Sequence, residues 1–219
     1  MPPAPLRFEL VIFDCDGVLI DSEPIANRVL AECLCDLGLP TTTEQSYERY
    51  HGMSYPACFA LVERQLGRPL PAGFVEAHWS RLEAALAREL EPVPFVQDAL
   101  ARIATPSCVA SNGRLSTMHK TLAKTGLIAR FAGRIFSADD VARPKPAPDL
   151  FLHAAASLGA EPRRCAVVED SPHGVAAGVA AGMTVFGYAA QTGAAKLASA
   201  GARIFEDMRA LPALLEPER

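Results

Sequence analysis

The chain has 219 residues, of which half are hydrophobic and 21% are charged, and its formal net charge at pH 7 is −4. This length allows one large domain or two unequal ones with a substantial core. The negative charge disfavours a surface for nucleic acid or anionic membranes. No apolar stretch reaches the roughly 20 residues of a membrane span, and the N-terminus lacks the pattern of a signal peptide. We therefore expect a cytoplasmic globular protein without nucleic-acid or membrane partners.

The first predicted element is a buried parallel strand at residues 8–13, and its apolar run leads directly into Asp14 and Asp16. Four helices are predicted to follow. Pro24 suits the first turn of the first helix, and the fourth, at about residues 73–90, shows an apolar stripe with helical spacing. We infer an all-helical segment from residue 22 to residue 90.

After residue 90 the pattern changes to short apolar runs that alternate with helical segments. The predicted strands are residues 107–110, 134–137, 165–168 and 184–186, and the predicted helices are residues 96–103, 115–124, 149–158 and 174–181. This alternation is typical of parallel βαβ units in a doubly wound sheet. The sequence therefore predicts an α/β fold with a core at residues 1–21 and 91–219, and a small helical domain at residues 22–90.

Polar side chains follow three of the predicted strands, and another lies in a proline-flanked loop. They are Asp14 and Asp16, Ser111 and Asn112, Glu169 and Asp170, and Lys145. We expect them to converge, because the carboxyl ends of parallel strands meet at one edge of the sheet. Two carboxylates about 4 Å apart repel by about 4 kcal/mol at an effective dielectric near 20, so the cluster requires a cation. Hard oxygen ligands favour Mg²⁺ over zinc or copper.

A divalent metal, a lysine and hydrogen-bond donors together describe a phosphate site. Lys145 supplies a second positive charge, and Ser111 and Asn112 supply donors. Asp14 is then placed to attack phosphorus and to form an aspartyl-phosphate. Asp16 is placed to protonate the leaving alcohol and later to deprotonate the attacking water. The pattern thus indicates phosphoryl transfer.

These motifs resemble, in order and spacing, those of the haloacid dehalogenase superfamily of phosphatases. The matching residues are Asp14-x-Asp16-Gly17-Val18, Ser111-Asn112, Lys145-Pro146 and Glu169-Asp170-Ser171. The resemblance implies that Mg²⁺ is bound by Asp14, the backbone carbonyl of Asp16, and Asp170. It places Glu169 in the first or second coordination shell.

The same resemblance implies that Ser111, Asn112 and Lys145 hold the phosphate, and that the Lys145-Pro146 peptide bond is cis. It further implies a Rossmann-like core. The helical segment resembles the cap of the β-phosphoglucomutase-like branch of the superfamily. The motifs also resemble those of bacterial phosphatases that act on 6-phosphogluconate and related sugar phosphates.

The superfamily's sugar-phosphate mutases carry a histidine and an arginine where Ala26 and Tyr55 stand here, which favours hydrolysis. We expect Mg²⁺-dependent hydrolysis of a small phosphorylated metabolite, a sugar phosphate such as 6-phosphogluconate. A sugar phosphomutase and a non-catalytic binding protein on the same scaffold remain as alternatives. We expect a monomer or a weak homo-oligomer. The candidate substrate contacts are Glu23, Arg49, His51 and Arg114.

Overall fold

The structure, a computed structural model, describes residues 7–51 and 53–216. The chain divides into two compact units. The first, here called the α/β unit, comprises Met1–Ile20 and Pro92–Arg219, and the second, called the helical unit, comprises Asp21–Glu91. None of the helices in the described ranges combines the length and the apolar character that crossing a bilayer requires.

The described part of the helical unit contains four helices. They are α1 (Glu23–Asp36), α2 (Thr43–Tyr50), α3 (Tyr55–Leu66) and α4 (Phe74–Glu89). Local sequence determines several of their ends. Thr42 and Gln45 form a reciprocal capping box at the start of α2, and Gly67 takes the left-handed conformation after α3.

The α/β unit is built around one sheet of six parallel strands within the described residues, in the order β3-β2-β1-β4-β5-β6. The strands are β1 (Leu10–Phe13), β2 (Ser107–Ser111), β3 (Ile135–Ser137), β4 (Cys165–Glu169), β5 (Thr184–Tyr188) and β6 (Arg203–Phe205). The α-helices are α5 (Val96–Arg102), α6 (Leu115–Lys124), α7 (Asp149–Ser157), α8 (Pro172–Ala180), α9 (Ala194–Ser199) and α10 (Leu211–Leu215). Short 3₁₀ helices cover Ile128–Phe131, Ala138–Asp140, Pro162–Arg164 and Met208–Ala210.

Every residue of β1, β2 and β4 is buried, as expected for parallel strands with both faces covered. Strand β1 lies between β2 and β4, where the strand order reverses, and Phe13 is in register with Val109 and Val168. In open α/β sheets, ligands bind at the carboxyl ends of the strands beside such a reversal. The predicted α/β fold is confirmed, and its topology brings the loops after β1, β2 and β4 together.

Two of the strands beside the reversal continue further than their apolar runs predict. Strand β2 includes Ser111, which pairs with Ser137, and β4 includes Glu169, which pairs with Gly187. The apolar pattern could not show this, because a strand ladder is built from backbone groups that are the same for polar and apolar residues. The two polar residues are therefore held by the rigid sheet.

Candidate active site

Asp14 follows β1 directly, and the sheet fixes its backbone. Its amide donates a hydrogen bond to the carbonyl oxygen of Val168 at 2.9 Å, and its side chain is buried. The chain then turns sharply at Gly17, which has a φ of 74°. A Cβ atom at Gly17 would overlap the carboxylate of Asp170. Glycine thus permits both the turn and the close approach of Asp170 to the loop after β1.

The buried ammonium group of Lys145 joins two carboxylates. Its Nζ donates to Oδ1 of Asp14 at 2.6 Å and to Oε1 of Glu169 at 2.7 Å, and it lies 4.5 Å from the ring centroid of Phe151. The Lys145-Pro146 peptide bond is cis. Lys145, Asp14 and Glu169 therefore form one hydrogen-bonded group, although the chain separates them by up to 155 positions.

The site holds more negative than positive charge, and the pKa values respond to it. Burial and, less strongly, the neighbouring charges of Glu169 and Asp16 together raise the pKa of Asp14 to about 8 against the lowering effect of Lys145. Burial by itself would lower the pKa of Lys145, but the carboxylates of Asp14 and Glu169 outweigh burial and raise it above its usual range. An additional cation beside these acids would be electrostatically favourable. We call Asp14, Asp16, Glu169 and Asp170 the acid cluster.

Glu169 is held in place by the two residues that lead into α8. Its Oε2 accepts from the amides of Asp170 and Ser171, each at 3.1 Å, and from the hydroxyl of Ser171 at 3.0 Å. A Cβ atom at Gly174 would overlap the Glu169 carboxylate. Ser171, whose Oγ accepts from the amide of Gly174 at 3.0 Å, is the cap of α8. Glu169 and Asp170 are therefore not needed as helix caps.

The loop after β2 lies beside Asp16. A Cβ atom at Gly113 would lie 3.5 Å from Oγ of Ser111 and 3.6 Å from Oδ2 of Asp16, so these two side chains approach the same point. Ser111 Oγ accepts from the amide of Gly113 at 3.1 Å. Ser137, a buried residue of β3 that the sequence does not single out, donates to the carbonyl oxygen of Gly113 at 2.9 Å. The loop is thus tied to the neighbouring strand.

Asn112 makes a two-point contact with Lys145. Its Nδ2 donates to the carbonyl oxygen of Lys145, and its Oδ1 accepts from the amide of Lys145, both at 3.0 Å. Sequence reasoning treated Asn112 only as a phosphate donor and missed this contact. No sequence signal pairs these two residues, because the contact depends on how the loop after β2 meets the Lys145 segment.

Comparisons with known proteins place the chain in a family. The family model for haloacid dehalogenase-like hydrolases matches residues 8–182. The chain belongs to this family. It is 34% identical over 186 residues to 6-phosphogluconate phosphatase of Escherichia coli, covering 84% of each chain. It is 30% identical over 195 residues to hexitol phosphatase A of the same organism, covering 82% of each.

Among solved structures, a haloacid dehalogenase-like protein of unknown function from Agrobacterium tumefaciens has a TM-score of 0.86 at 40% identity. The alignment covers 94% of this chain and 97% of that one. The predicted family and the predicted hydrolase class are confirmed. Phosphatases of this family generally use Mg²⁺.

The donor chemistry of the hydrolase fits Mg²⁺. The acid cluster provides hard carboxylate oxygens, and the ammonium group of Lys145 joins two of its members, Asp14 and Glu169. Within residues 7–51 and 53–216, no three His, Cys, Asp or Glu side chains are grouped as a metal site. The predicted ligand set is compatible with this finding, since it uses the carboxylates of Asp14 and Asp170 but only the backbone carbonyl of Asp16.

The other predicted residues are Glu23, Arg49 and His51 of the helical unit and Arg114 of the α/β unit. In the helical unit, Oε2 of Glu23 is 3.0 Å from Nδ1 of His51 and accepts from Nδ2 of Asn27 at 3.1 Å. Glu23, Asn27 and His51 line a pocket of this unit with mainly apolar neighbours. Arg49, in α2, and Arg114, before α6, are exposed. The sequence suggested Glu23 and His51 separately and gave no sign that they form a pair.

Proposed function

We propose that this hydrolase is a Mg²⁺-dependent phosphatase that acts on a small phosphorylated metabolite, a sugar phosphate such as 6-phosphogluconate. The observation that carries the proposal is the buried contact of 2.6 Å between Lys145 and Asp14 at the end of the central strand. It places a fixed positive charge beside a carboxylate that the sheet holds at the ligand-binding edge. The names of the relatives support a phosphorylated substrate.

Asp14 attacks phosphorus and forms an aspartyl-phosphate while the ester bond to the leaving alcohol breaks. Asp16 donates a proton to the leaving oxygen, and it then takes a proton from the water that hydrolyses the aspartyl-phosphate. Lys145 and Ser111 hold the phosphate oxygens, and Glu169 orients Lys145 through their 2.7 Å hydrogen bond.

Asp14, the backbone carbonyl of Asp16, and Asp170 would hold Mg²⁺. When bound, the ion offsets the repulsion between the carboxylate nucleophile and the phosphate dianion. We also propose that the segment at residues 22–90 acts as a cap on a core at residues 1–21 and 91–219, admitting substrate and excluding bulk water during the reaction. Glu23 and His51 are then candidates for contacts to the sugar portion.

The proposal is tested by measuring phosphate release from a panel of phosphorylated metabolites with Mg²⁺ and with EDTA. We expect release that requires the metal, and a loss of turnover of at least about 10³-fold in Asp14→Asn, which keeps the shape of the side chain but removes the nucleophile. Near-native turnover in this variant would refute the covalent route. Isomerised product instead of free phosphate would establish a mutase, and inactivity across the panel would favour a binding protein.

A further inference from the structure

Asn112 holds Lys145 by both of its backbone hydrogen-bonding groups. We propose that Asn112 is a positioning residue that acts through Lys145, in contrast to the direct phosphate contact that the family resemblance implies. This inference rests on the proposed phosphatase function. Both hydrogen bonds are 3.0 Å long, and together they fix the location and the orientation of the Lys145 backbone. An asparagine can do this because its amide presents a donor and an acceptor side by side.

The Lys145 segment requires such an anchor. It lies in a loop between a 3₁₀ helix and α7, so no helix or strand holds its backbone. The lysine side chain is long and flexible, yet its Nζ must reach two carboxylates on separate strand ends, at 2.6 Å and 2.7 Å. Asn112 follows Ser111, the last residue of β2, which pairs with Ser137. The contact therefore links the position of Lys145 to the rigid sheet.

The hydrogen bonds of Asn112 limit what else its side chain can do. Oδ1 is an acceptor and cannot bind a phosphate oxygen, and one of the two N–H groups of Nδ2 is used by Lys145. In the mechanism proposed above, the hydroxyl of Ser111 and the ammonium of Lys145 donate the hydrogen bonds to the phosphate oxygens. The structure thus predicts that removing Asn112 disturbs phosphate binding and turnover because Lys145 moves.

A double-mutant cycle tests this coupling in the full-length protein with Mg²⁺. The variants are Asn112→Ala, Lys145→Ala and the double variant, and the readouts are turnover and the binding of inorganic phosphate by calorimetry. A misplacement of about 1 Å can cost about 10²-fold in rate, so we expect Asn112→Ala to lower kcat by about 10- to 100-fold. In the Lys145→Ala background, Asn112→Ala should change the affinity for phosphate by less than about twofold. The lysine through which Asn112 acts is then already absent, and the effects of coupled residues do not add. Equal losses of affinity in both backgrounds would make Asn112 an independent phosphate ligand and overturn the proposal.

Amide hydrogen exchange at Lys145 tests, independently of catalysis, whether Asn112 anchors the Lys145 backbone. Asn112→Ala should speed exchange of the Lys145 amide by at least about tenfold, whereas Asn112→Asp keeps the acceptor and should preserve protection. The matched control is Arg143→Gln, on the exposed side of the same loop, where Arg143 binds Asp149 at 3.0 Å. This control should leave exchange at Lys145 unchanged. Unchanged exchange in Asn112→Ala would overturn the proposed anchor.

The two proposals fail in different ways. If the wild-type protein hydrolyses no phosphate ester but Asn112→Ala still exposes the Lys145 amide and weakens phosphate binding, the phosphatase function is wrong and the anchor stands. If the wild-type protein is an active phosphatase and Asn112→Ala leaves the Lys145 amide protected, the anchor is wrong and the phosphatase function stands.

Discussion

Two groups of side chains are built around a carboxylate: the acid cluster of the α/β unit and the Glu23–His51 pair of the helical unit. The two groups hold their carboxylates very differently. Glu169 is almost fully buried and accepts hydrogen bonds from four donors. The side chain of Glu23 is 21% exposed, and it is held by Asn27 and His51. Breaking a buried, fully bonded charge pair costs several kcal/mol, whereas a partly exposed pair contributes up to about 1 kcal/mol. The first arrangement suits fixed chemistry, and the second suits adjustable selectivity.

Asp16→Ala should have the largest effect on turnover. Such a loss would locate the catalytic chemistry in the acid cluster. Loss of a general acid and base lowers turnover of alkyl phosphates by about 10²- to 10⁴-fold. With an activated leaving group such as p-nitrophenolate, the first step needs no acid, so aspartyl-phosphate should accumulate and appear in the intact-mass spectrum. Asp14→Asn is the control and should show no adduct. The absence of an adduct in both variants would count against the second role of Asp16.

Gly174→Ala tests how rigidly the cluster is packed. The added Cβ atom would overlap the Glu169 carboxylate, which cannot move without breaking its buried bonds. We expect a loss of about 3 kcal/mol in the free energy of unfolding, measured by urea denaturation. The matched control is Gly193→Ala, where a Cβ atom would meet nothing within 4 Å. Equal stability of the two variants would mean that Glu169 is held more loosely than these contacts indicate.

The sequence predicts that the acid cluster forms, but it does not predict which contacts the members of the cluster make. The packing of loops and helices explains this difference. Asp14 and Glu169 could be placed from their strands alone, because parallel strands end at a common edge. The hydrogen bonds of Asn112 to Lys145, and the close approach of Gly174 to Glu169, depend on loop and helix positions that residue patterns do not specify. The Glu23–His51 pair was likewise hidden, because α1 and the end of α2 meet only through tertiary packing.

His78 provides a third environment, because it is a buried polar group without a hydrogen bond. Its side chain in α4 is fully buried, and neither ring nitrogen has a partner. Tyr55, Phe59 and Trp79 surround the ring at centroid distances of 5.2–5.6 Å. Burial lowers the pKa of His78 from 6.5 to about 4. The helical unit thus contains a buried polar side chain without a hydrogen bond. In the acid cluster, by contrast, the buried carboxylate of Glu169 is hydrogen-bonded.

The lowered pKa makes the helical unit sensitive to acid. Between pH 6.5 and pH 4 the unfolded state binds a proton at His78 that the folded state does not, so stability falls as the pH falls through this window. We expect a loss of about 3 kcal/mol, measured by amide exchange across the helical unit at several pH values. His78→Leu should remove this part of the pH dependence and stabilise the unit at pH 7 by about 1 kcal/mol. An unchanged pH profile in His78→Leu would show that other groups cause the acid sensitivity.

Glu23→Gln should have the smallest effect on stability and a clear effect on selectivity. The amide keeps the shape and an acceptor for Asn27, so we expect a loss of about 0.5 kcal/mol in the free energy of unfolding. If Glu23 contacts the substrate, its charge repels a carboxylate such as that of 6-phosphogluconate and tolerates the hydroxyl groups of a hexitol phosphate. Removing the charge should raise the ratio of kcat/KM for the acid over that for the hexitol by about tenfold, which corresponds to 1.4 kcal/mol.

The control for selectivity is Glu32→Gln, which neutralises another carboxylate of α1. Glu32 is exposed and pairs with Arg28 at 2.9 Å, and neither residue lines the pocket. Glu32→Gln changes the net charge of the helical unit by the same amount as Glu23→Gln. A long-range effect of net charge would therefore shift the ratio of kcat/KM values equally in the two variants. A shift in Glu23→Gln alone assigns selectivity to the pocket. The same ratio in both variants and in the wild-type protein would mean that the helical unit selects its substrate through other residues, because a charge in contact with the substrate cannot be removed without changing that preference.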